Sequence, residues 1–224
     1  MSESNLPEWE QLLSAAAHLQ EILPAATLVG GTAVAIFAQH RLSRDADHVL
    51  TDLRSRFDEV LSDLEAVSGW RTARVKRPVL ILGSLDGIET GVRQLIRDEP
   101  LETQEVTIAG VRLVVPTEEE LLRIKGVLIL RRNATRDYLD FAALAERIGP
   151  ARIIQALTSM DQLYPQTSGE SALQQLQVQL ANPMPFDLEK TDLTEYRNLH
   201  PKWHDWNRVK EICSNIAIDL FTRL

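Results

Sequence analysis

A single cysteine, Cys213, occurs in the 224 residues. That rules out a disulfide framework and a cysteine-rich metal site. Long apolar runs are missing as well: the richest stretch, TLVGGTAVAIFAQ, is too short and too interrupted by glycine to span a bilayer. The opening MSESNLPEWEQ has neither a basic start nor an apolar signal core, so nothing in it argues for export. Positive charge is also in short supply. With 24 Lys and Arg against 32 Asp and Glu, the net charge is −8, which does not suit a general nucleic-acid binder, because affinity for phosphate accumulates from cations. There is no Gly-x-Ser-x-Gly elbow and no Walker-type loop, so acyl transfer and P-loop chemistry have no support. Internal repeats and low-complexity segments are absent too. What remains, 44% hydrophobic and 25% charged, is the composition of an ordinary globular chain with a substantial core, expected to be cytoplasmic and without a membrane partner.

The pattern of apolar residues divides the chain. NLPEWEQLLSAAAHLQEIL reads as an opening helix, capped by Asn5, with Pro7 in its first turn and Leu12, Leu13, Ala16, Leu19 and Leu23 at helical spacing. ATLVG is a short buried strand, TAVAIFAQH a short buried helix, DADHVL a strand, and TDLRSRFDEVLSDLEAVSG an amphipathic helix ended by Gly69. From Trp70 the period changes to that of strands, through WRTARVK, PVLILGS, GIETGVRQLI, ETQEVTIA and VRLVVP, with a hairpin turn at Ala109-Gly110. Thr117 and Glu120 then open a helix with a capping box. Beyond it, residues 136–147, 151–163, about 170–181 and about 201–221 are predicted helices. The expected fold class is therefore α+β: a mixed sheet with flanking helices over 1–116, followed by a mainly helical region over 117–224.

One stretch carries chemistry. In LVGGTAVAIFAQHRLSRDADHV, Gly30-Gly31 close an apolar run, and after thirteen intervening residues come Asp45 and Asp47. Positions i and i+2 of a strand share a face, so the two carboxylates stand together. Like charges that close repel, unless a cation lies between them. Mg²⁺ takes one or two carboxylates and completes its shell with water and substrate phosphate. A glycine pair at a strand-to-helix junction lets the backbone approach a phosphate, and the helix start offers free N–H groups. Thr32 could cap that helix or touch the phosphate. Taken singly, Gly-Gly is a turn and Asp-x-Asp a surface strand; together they favour a site.

The order of these residues resembles the signature of the DNA polymerase β-like nucleotidyltransferases. More narrowly, GGTAVAIFAQHRLSRDAD is similar to the Gly-Gly-Thr-Ala … Arg-x-Ser-x-Asp-x-Asp block of the AbiEii-type abortive-infection toxins, with Arg41, Ser43, Asp45 and Asp47 in place. His48 departs from the apolar residue usual there, and is expected on the buried face of the strand. The resemblance implies a nucleotidyltransferase-like sheet, with Asp45 and Asp47 as metal-binding and catalytic residues. Gly30, Gly31, Thr32, Arg41, Ser43 and Arg136 would then serve the nucleotide. A third metal carboxylate is expected on a later strand, with Glu89 the candidate; its neighbour Arg93 could hold phosphate or make a cross-strand ion pair.

A second block lies in ELLRIKGVLILRR, where Lys125 sits among Leu121 and Leu128 on an apolar helix face and must either snorkel or meet an anion. TRDYLD follows, with Arg136, Asp137 and Asp140. Read alone, Asp137 favours the helix dipole behind a Thr135 cap, and Arg136–Asp140 is an i,i+4 pair. The resemblance instead implies that Lys125 contacts substrate phosphate and that Asp137 is catalytic. It further implies Mg²⁺, an NTP substrate, a tRNA acceptor and a cognate antitoxin. The basic clusters Arg71, Arg74, Lys76, Arg77 and Arg131, Arg132, Arg136 would be the acceptor's footprint. The alternatives are a small-molecule acceptor such as an aminoglycoside, or an inactive relative that binds a nucleotide or a partner. His200 and His204 have a metal-ligand spacing without a third ligand. Their segment is expected to dock a partner through Trp203 and Trp206.

Overall fold

A computed structural model describes residues 8–223; the expected Asn5 cap and Pro7 lie outside them. By its contacts the chain falls into two units. One takes the chain up to Ile36 together with Ser43–Pro116, and the other takes Phe37–Leu42 with everything from Thr117.

The first unit holds α1 (Trp9–Ile22), β1 (Thr27–Leu28), α2 (Gly30–Ala38, whose last two residues group with the second unit), β2 (Ala46–Leu50) and α3 (Leu53–Glu65). These are followed by β3 (Trp70–Lys76), β4 (Leu80–Leu85), β5 (Ile88–Gln94), β6 (Thr103–Ile108) and β7 (Val111–Pro116). Five strands form one mixed sheet in the order β1-β2-β5-β4-β3. β2 runs parallel to β5, and the other pairs are antiparallel. β6 and β7 make a separate hairpin. Its turn sits at Ala109 and Gly110, both at positive φ (49° and 77°), as a primed two-residue turn requires. Gln20 of α1 pins that hairpin by bonding both the carbonyl and the N–H of Val114 (2.8 and 2.9 Å).

Alternation along the strands gives the sheet two unlike faces. Leu50, Ile81, Leu85 and Val92 join Leu19 and Leu23 of α1 and Phe57, Val60 and Leu64 of α3 in one core cluster. Ala46 and His48 lie on this buried face with Leu50. On the other face stand Asp47 and Val49, with Gly91 and Arg93 beside them on β5 by register and Glu89 one alternation earlier. Asp45 falls just before the strand, which starts at Ala46 rather than at Asp45 as expected. Gly91 pairs with Asp47, and a Cβ there would lie 2.8 Å from the Ile81 carbonyl and 2.5 Å from Leu82, so only glycine fits. α3 ends at Glu65, ahead of the expected stop. Gly69 (φ 96°) instead serves the turn into β3, where its carbonyl accepts the Asp86 N–H.

The second unit is helical: α4 (Glu118–Arg132), α5 (Thr135–Ile148), α6 (Pro150–Leu157), α7 (Met160–Leu163), α8 (Ala172–Ala181) and α9 (Trp206–Arg223). Thr117 caps α4, its hydroxyl accepting the Glu120 N–H at 3.2 Å. The predicted helix over 151–163 is two helices. Thr158 and Ser159 turn their hydroxyls back onto the Gln155 and Ala156 carbonyls (2.8 and 3.1 Å) and interrupt the ladder. Similarly, 201–203 is a 3₁₀ turn, and α9 starts later because Asp205 accepts the Asn207 N–H at 2.9 Å as a cap. Thr135 does not cap α5 as expected: its own N–H and hydroxyl both donate to Asp187 Oδ1 (2.7 Å each).

Candidate functional site

The sequence-predicted residues occur in both units, and each set is built within its own. In the first unit, the chain turns at Gly30 (φ 76°) straight from β1 into α2. Val29 donates its N–H to the Asp47 carbonyl at 2.8 Å, which lays this turn beside Asp47. A Cβ on Gly30 would lie 3.6 Å from Asp47 Cβ. The buried Thr32 hydroxyl donates to the Asp45 carbonyl at 2.5 Å, tying the first turn of α2 to the start of β2. Ser43 donates to Asp45 Oδ1 at 2.8 Å. Thr90 bonds the intervening Ala46 carbonyl at 2.6 Å. Three hydrogen bonds to the carbonyls of Asp45, Ala46 and Asp47 thus fix the backbone that carries the two half-buried carboxylates, and a fourth holds the Asp45 carboxylate itself, an arrangement suited to a backbone-bound phosphate next to a cation.

Arg93, offered as a phosphate ligand or an ion-pair partner, takes the second role in this structure: its Nε lies 3.6 Å from Asp47 Oδ1. Glu89 occupies the expected face of β5, one residue before Thr90, the register partner of Ala46. Among the described residues, however, no three His, Cys, Asp or Glu side chains gather into a metal-binding group. The donors offered here are Asp47 on β2 and Asp45 just ahead of it, which fits a cation that draws the rest of its shell from water and substrate.

His48 is completely buried, with Nδ1 3.0 Å from the Ala46 carbonyl. It faces away from the aspartates. Burial drives its pKa down to about 4, and burial likewise lowers that of His40. Both histidines hold a proton less tightly folded than in the unfolded chain, where the ordinary value is about 6.5. The unfolded state therefore binds more protons, so stability is full above that pH and is lost as pH falls. His48 alone removes about 2 kcal/mol by pH 5. Denaturant unfolding at pH 7.5 and pH 5 should show this loss, and His48→Leu should flatten the profile.

In the second unit, α4 and α5 bury a charged cluster. Lys125 meets anions rather than snorkelling: Nζ lies 2.6 Å from Asp140 Oδ2 and 3.6 Å from Asp137 Oδ1. Arg132, at the end of α4, grips Asp137 with two bonds (3.0 and 2.8 Å). Arg41 grips Asp140 with two more (2.8 and 3.0 Å), and His40 Nε2 reaches Asp140 Oδ1 at 2.7 Å. Burial alone would raise the Asp140 carboxyl. The Arg41 guanidinium and the Lys125 ammonium, with the His40 hydrogen bond, hold it well below the usual carboxylate range. Arg136 is exposed, and Asp140 turns to this cluster instead of pairing with it along the helix. Asp140 and His40 as the hub were not anticipated; the only trace in the sequence was the Arg-Asp-x-x-Asp spacing.

The basic clusters fare unevenly. Arg71, Arg74 and Lys76 are exposed along β3, an edge strand, and Arg131 and Arg136 are exposed as well. Arg77 is engaged by Asp58 and stacks over Phe57, while Arg132 serves Asp137. His200 and His204 are engaged locally, His200 accepting the Lys202 N–H and His204 bonding the Leu199 carbonyl. Trp203 is 1% exposed, and Trp206 packs edge-on against Tyr138 with ring centroids 6.1 Å apart. Of the two tryptophans expected to dock a partner, Trp203 is therefore core and Trp206 is half-buried.

Comparison with solved structures decides the fold. The chain superposes on JHP933 of Helicobacter pylori with a TM-score of 0.57 at 16% identity, covering 100% of this chain and 96% of that one. A nucleotidyltransferase candidate from H. pylori gives 0.58, also at 16% identity, over 99% and 98%. The fold is nucleotidyltransferase-like. ANT(2'')-Ia, solved with adenylyl-2''-tobramycin, matches at a TM-score of 0.50 and 12% identity over 67% of this chain and 95% of that one. In sequence, 125 residues are 37% identical to the heme uptake protein MmpL11 of Mycobacterium tuberculosis, covering 54% of this chain and 12% of that protein. The mycolic acid-containing lipids exporter MmpL11 of Mycolicibacterium smegmatis is 34% identical over 130 residues, 54% of this chain and 13% of that protein. The chain thus spans about an eighth of the length of these relatives. No protein-family profile matches it. Among the described residues, no helix is long and apolar enough to cross a membrane.

Proposed function

We propose that this nucleotidyltransferase-like protein transfers a nucleoside monophosphate from an NTP to an acceptor hydroxyl. The acceptor oxygen bonds to the α-phosphorus, the bond to the β-phosphate oxygen breaks, and pyrophosphate leaves. The observation that carries this reading is Asp47 on β2 beside the Gly30 turn, with Asp45 just ahead of the strand and tied to the first turn of α2 by Thr32. Asp45 and Asp47 would hold Mg²⁺, which supplies charge neutralisation for the triphosphate and the leaving group. Backbone N–H groups at Gly31 and Thr32 would bind phosphate, with Ser43 and Thr32 keeping Asp45 in place. The resemblance gives Lys125 a contact with substrate phosphate and Asp137 a catalytic role; within the helical unit Asp140, and at longer range Asp137, hold that ammonium.

For the acceptor we favour a tRNA, in an AbiEii-like toxin role with a cognate antitoxin, on the strength of the sequence signature. The exposed cations of β3 would be its footprint. A small-molecule acceptor is the second reading, supported by the likeness to ANT(2'')-Ia. The transport activities named for the mycobacterial relatives belong to far longer chains, and the paired aspartates give no reason to carry them over.

Calorimetric titration with each of the four NTPs tests the site before any acceptor is known. At least one NTP should bind only with Mg²⁺ present, and Asp45→Asn should weaken it tenfold or more. Binding that ignores both Mg²⁺ and the substitution would contradict the proposal. Salt then separates the acceptors, since affinity for a nucleic acid falls steeply with ionic strength.

A further inference from the structure

Arg41 stands in the signature block as a residue for nucleotide phosphate, yet its side chain is 8% exposed and its guanidinium is spent on Asp140. The short segment Phe37–Leu42 groups by its contacts with the helical unit, although the chain on either side belongs to the other one. Three further ties hold it there. Leu42 donates its N–H to the Arg197 carbonyl at 2.8 Å, the His40 carbonyl accepts the His200 N–H at 2.8 Å, and Arg41 lies 5.6 Å from the centre of the Tyr196 ring. Gln39, just before them, sits at φ 48°, a left-handed conformation that persists only where surrounding contacts enforce it. Directly after Leu42 come Ser43 and, two residues later, Asp45, whose carboxylate Ser43 bonds.

From these contacts we infer that Arg41 and Asp140 are positioning residues: they clamp residues 39–42 and thereby fix the chain that leads into Ser43, Asp45 and Asp47. The inference deepens the proposed function and rests on it for the role of the aspartates. Geometry distinguishes the clamp from a phosphate ligand. A phosphate needs positive charge, which lysine supplies. The clamp needs the two-pronged planar donor that matches a carboxylate, which lysine lacks.

The experiment compares wild type with Arg41→Lys, Arg41→Gln and Asp140→Asn, using Leu139→Ala as a core-destabilised control on the same helix. Binding of Mn²⁺ alone is measured beside hydrogen exchange at the Leu42 and His200 amides. Arg41→Gln leaves Lys125 and Asp140 as a neutral pair, so it stays folded even where Asp140→Asn does not. Each clamp variant should weaken Mn²⁺ binding about tenfold or more, with lysine no better than glutamine, and should strip protection from both amides. The control should do neither. Restoration of wild-type affinity and protection by lysine would overturn the clamp, as would unchanged exchange in every variant. If wild type binds Mn²⁺ no better than Asp47→Ala, the metal reading of the aspartates falls, and the exchange data still decide the clamp.

Discussion

Asp140→Ala should destabilise the protein by about 3–5 kcal/mol, the usual cost of removing one partner from a buried ion pair. Asp140 is completely buried and answers two cations at once, the Arg41 guanidinium and the Lys125 ammonium, besides the His40 hydrogen bond. Without it, Arg41 loses both of its hydrogen bonds to this carboxylate and Lys125 is left with the longer 3.6 Å approach to Asp137. Against a total stability of about 5–15 kcal/mol, such a loss is large. Asp137→Ala should cost less, because its main partner Arg132 is 39% exposed and can return to water. Denaturant unfolding of the two variants at neutral pH measures the difference. Since the Asp140 carboxyl is held far below its ordinary value, its contribution is present above about pH 4 and is lost only as pH falls through that depressed value.

Lys125→Met should show the opposite balance. Removing this ammonium leaves Asp140 paired with Arg41 and Asp137 paired with Arg132, both through two hydrogen bonds. No buried carboxylate loses its last cation, and methionine fills similar space, so the fold should survive with a modest cost. Transfer, in contrast, should fall by about 10²–10³, the range seen when one charge-stabilising donor is removed from a reaction centre. A loss of that size with near-normal unfolding would separate a lysine that serves the nucleotide from one that only completes a buried network. Parallel losses in stability and activity would make Lys125 structural.

Local pattern carried much of this fold. The glycine pair, the aspartate pair and the alternating strands from Trp70 to Pro116 were legible because period and turn chemistry act within a few residues. Thr117 announced α4 in the same way. What stayed hidden depends on distant partners. Thr135 reads as a cap until Asp187, 52 residues away, takes its N–H and hydroxyl. Trp203 and Trp206 look like a docking surface until the helical unit encloses the first and Tyr138 meets the second. Lys125 posed the right question, snorkel or anion, but Arg41 and Asp140 lie 99 residues apart in sequence, and no spacing rule joins them. The third metal carboxylate stayed unresolved for a different reason: Glu89 sits on the matching face, yet the described residues do not bring three acids together.

The central claim is that Asp45 and Asp47 serve nucleotidyl transfer. The most direct measurement incubates the protein with Mg²⁺ and each of the four α-labelled NTPs, presenting total tRNA, total protein and an aminoglycoside as acceptors, with Asp47→Ala alongside. Label should move to one acceptor class with wild type and fall at least about a hundredfold with the variant, naming both the nucleotide and the acceptor. Equal labelling by the two proteins, or none on any acceptor together with NTP binding that ignores Mg²⁺, would contradict the account.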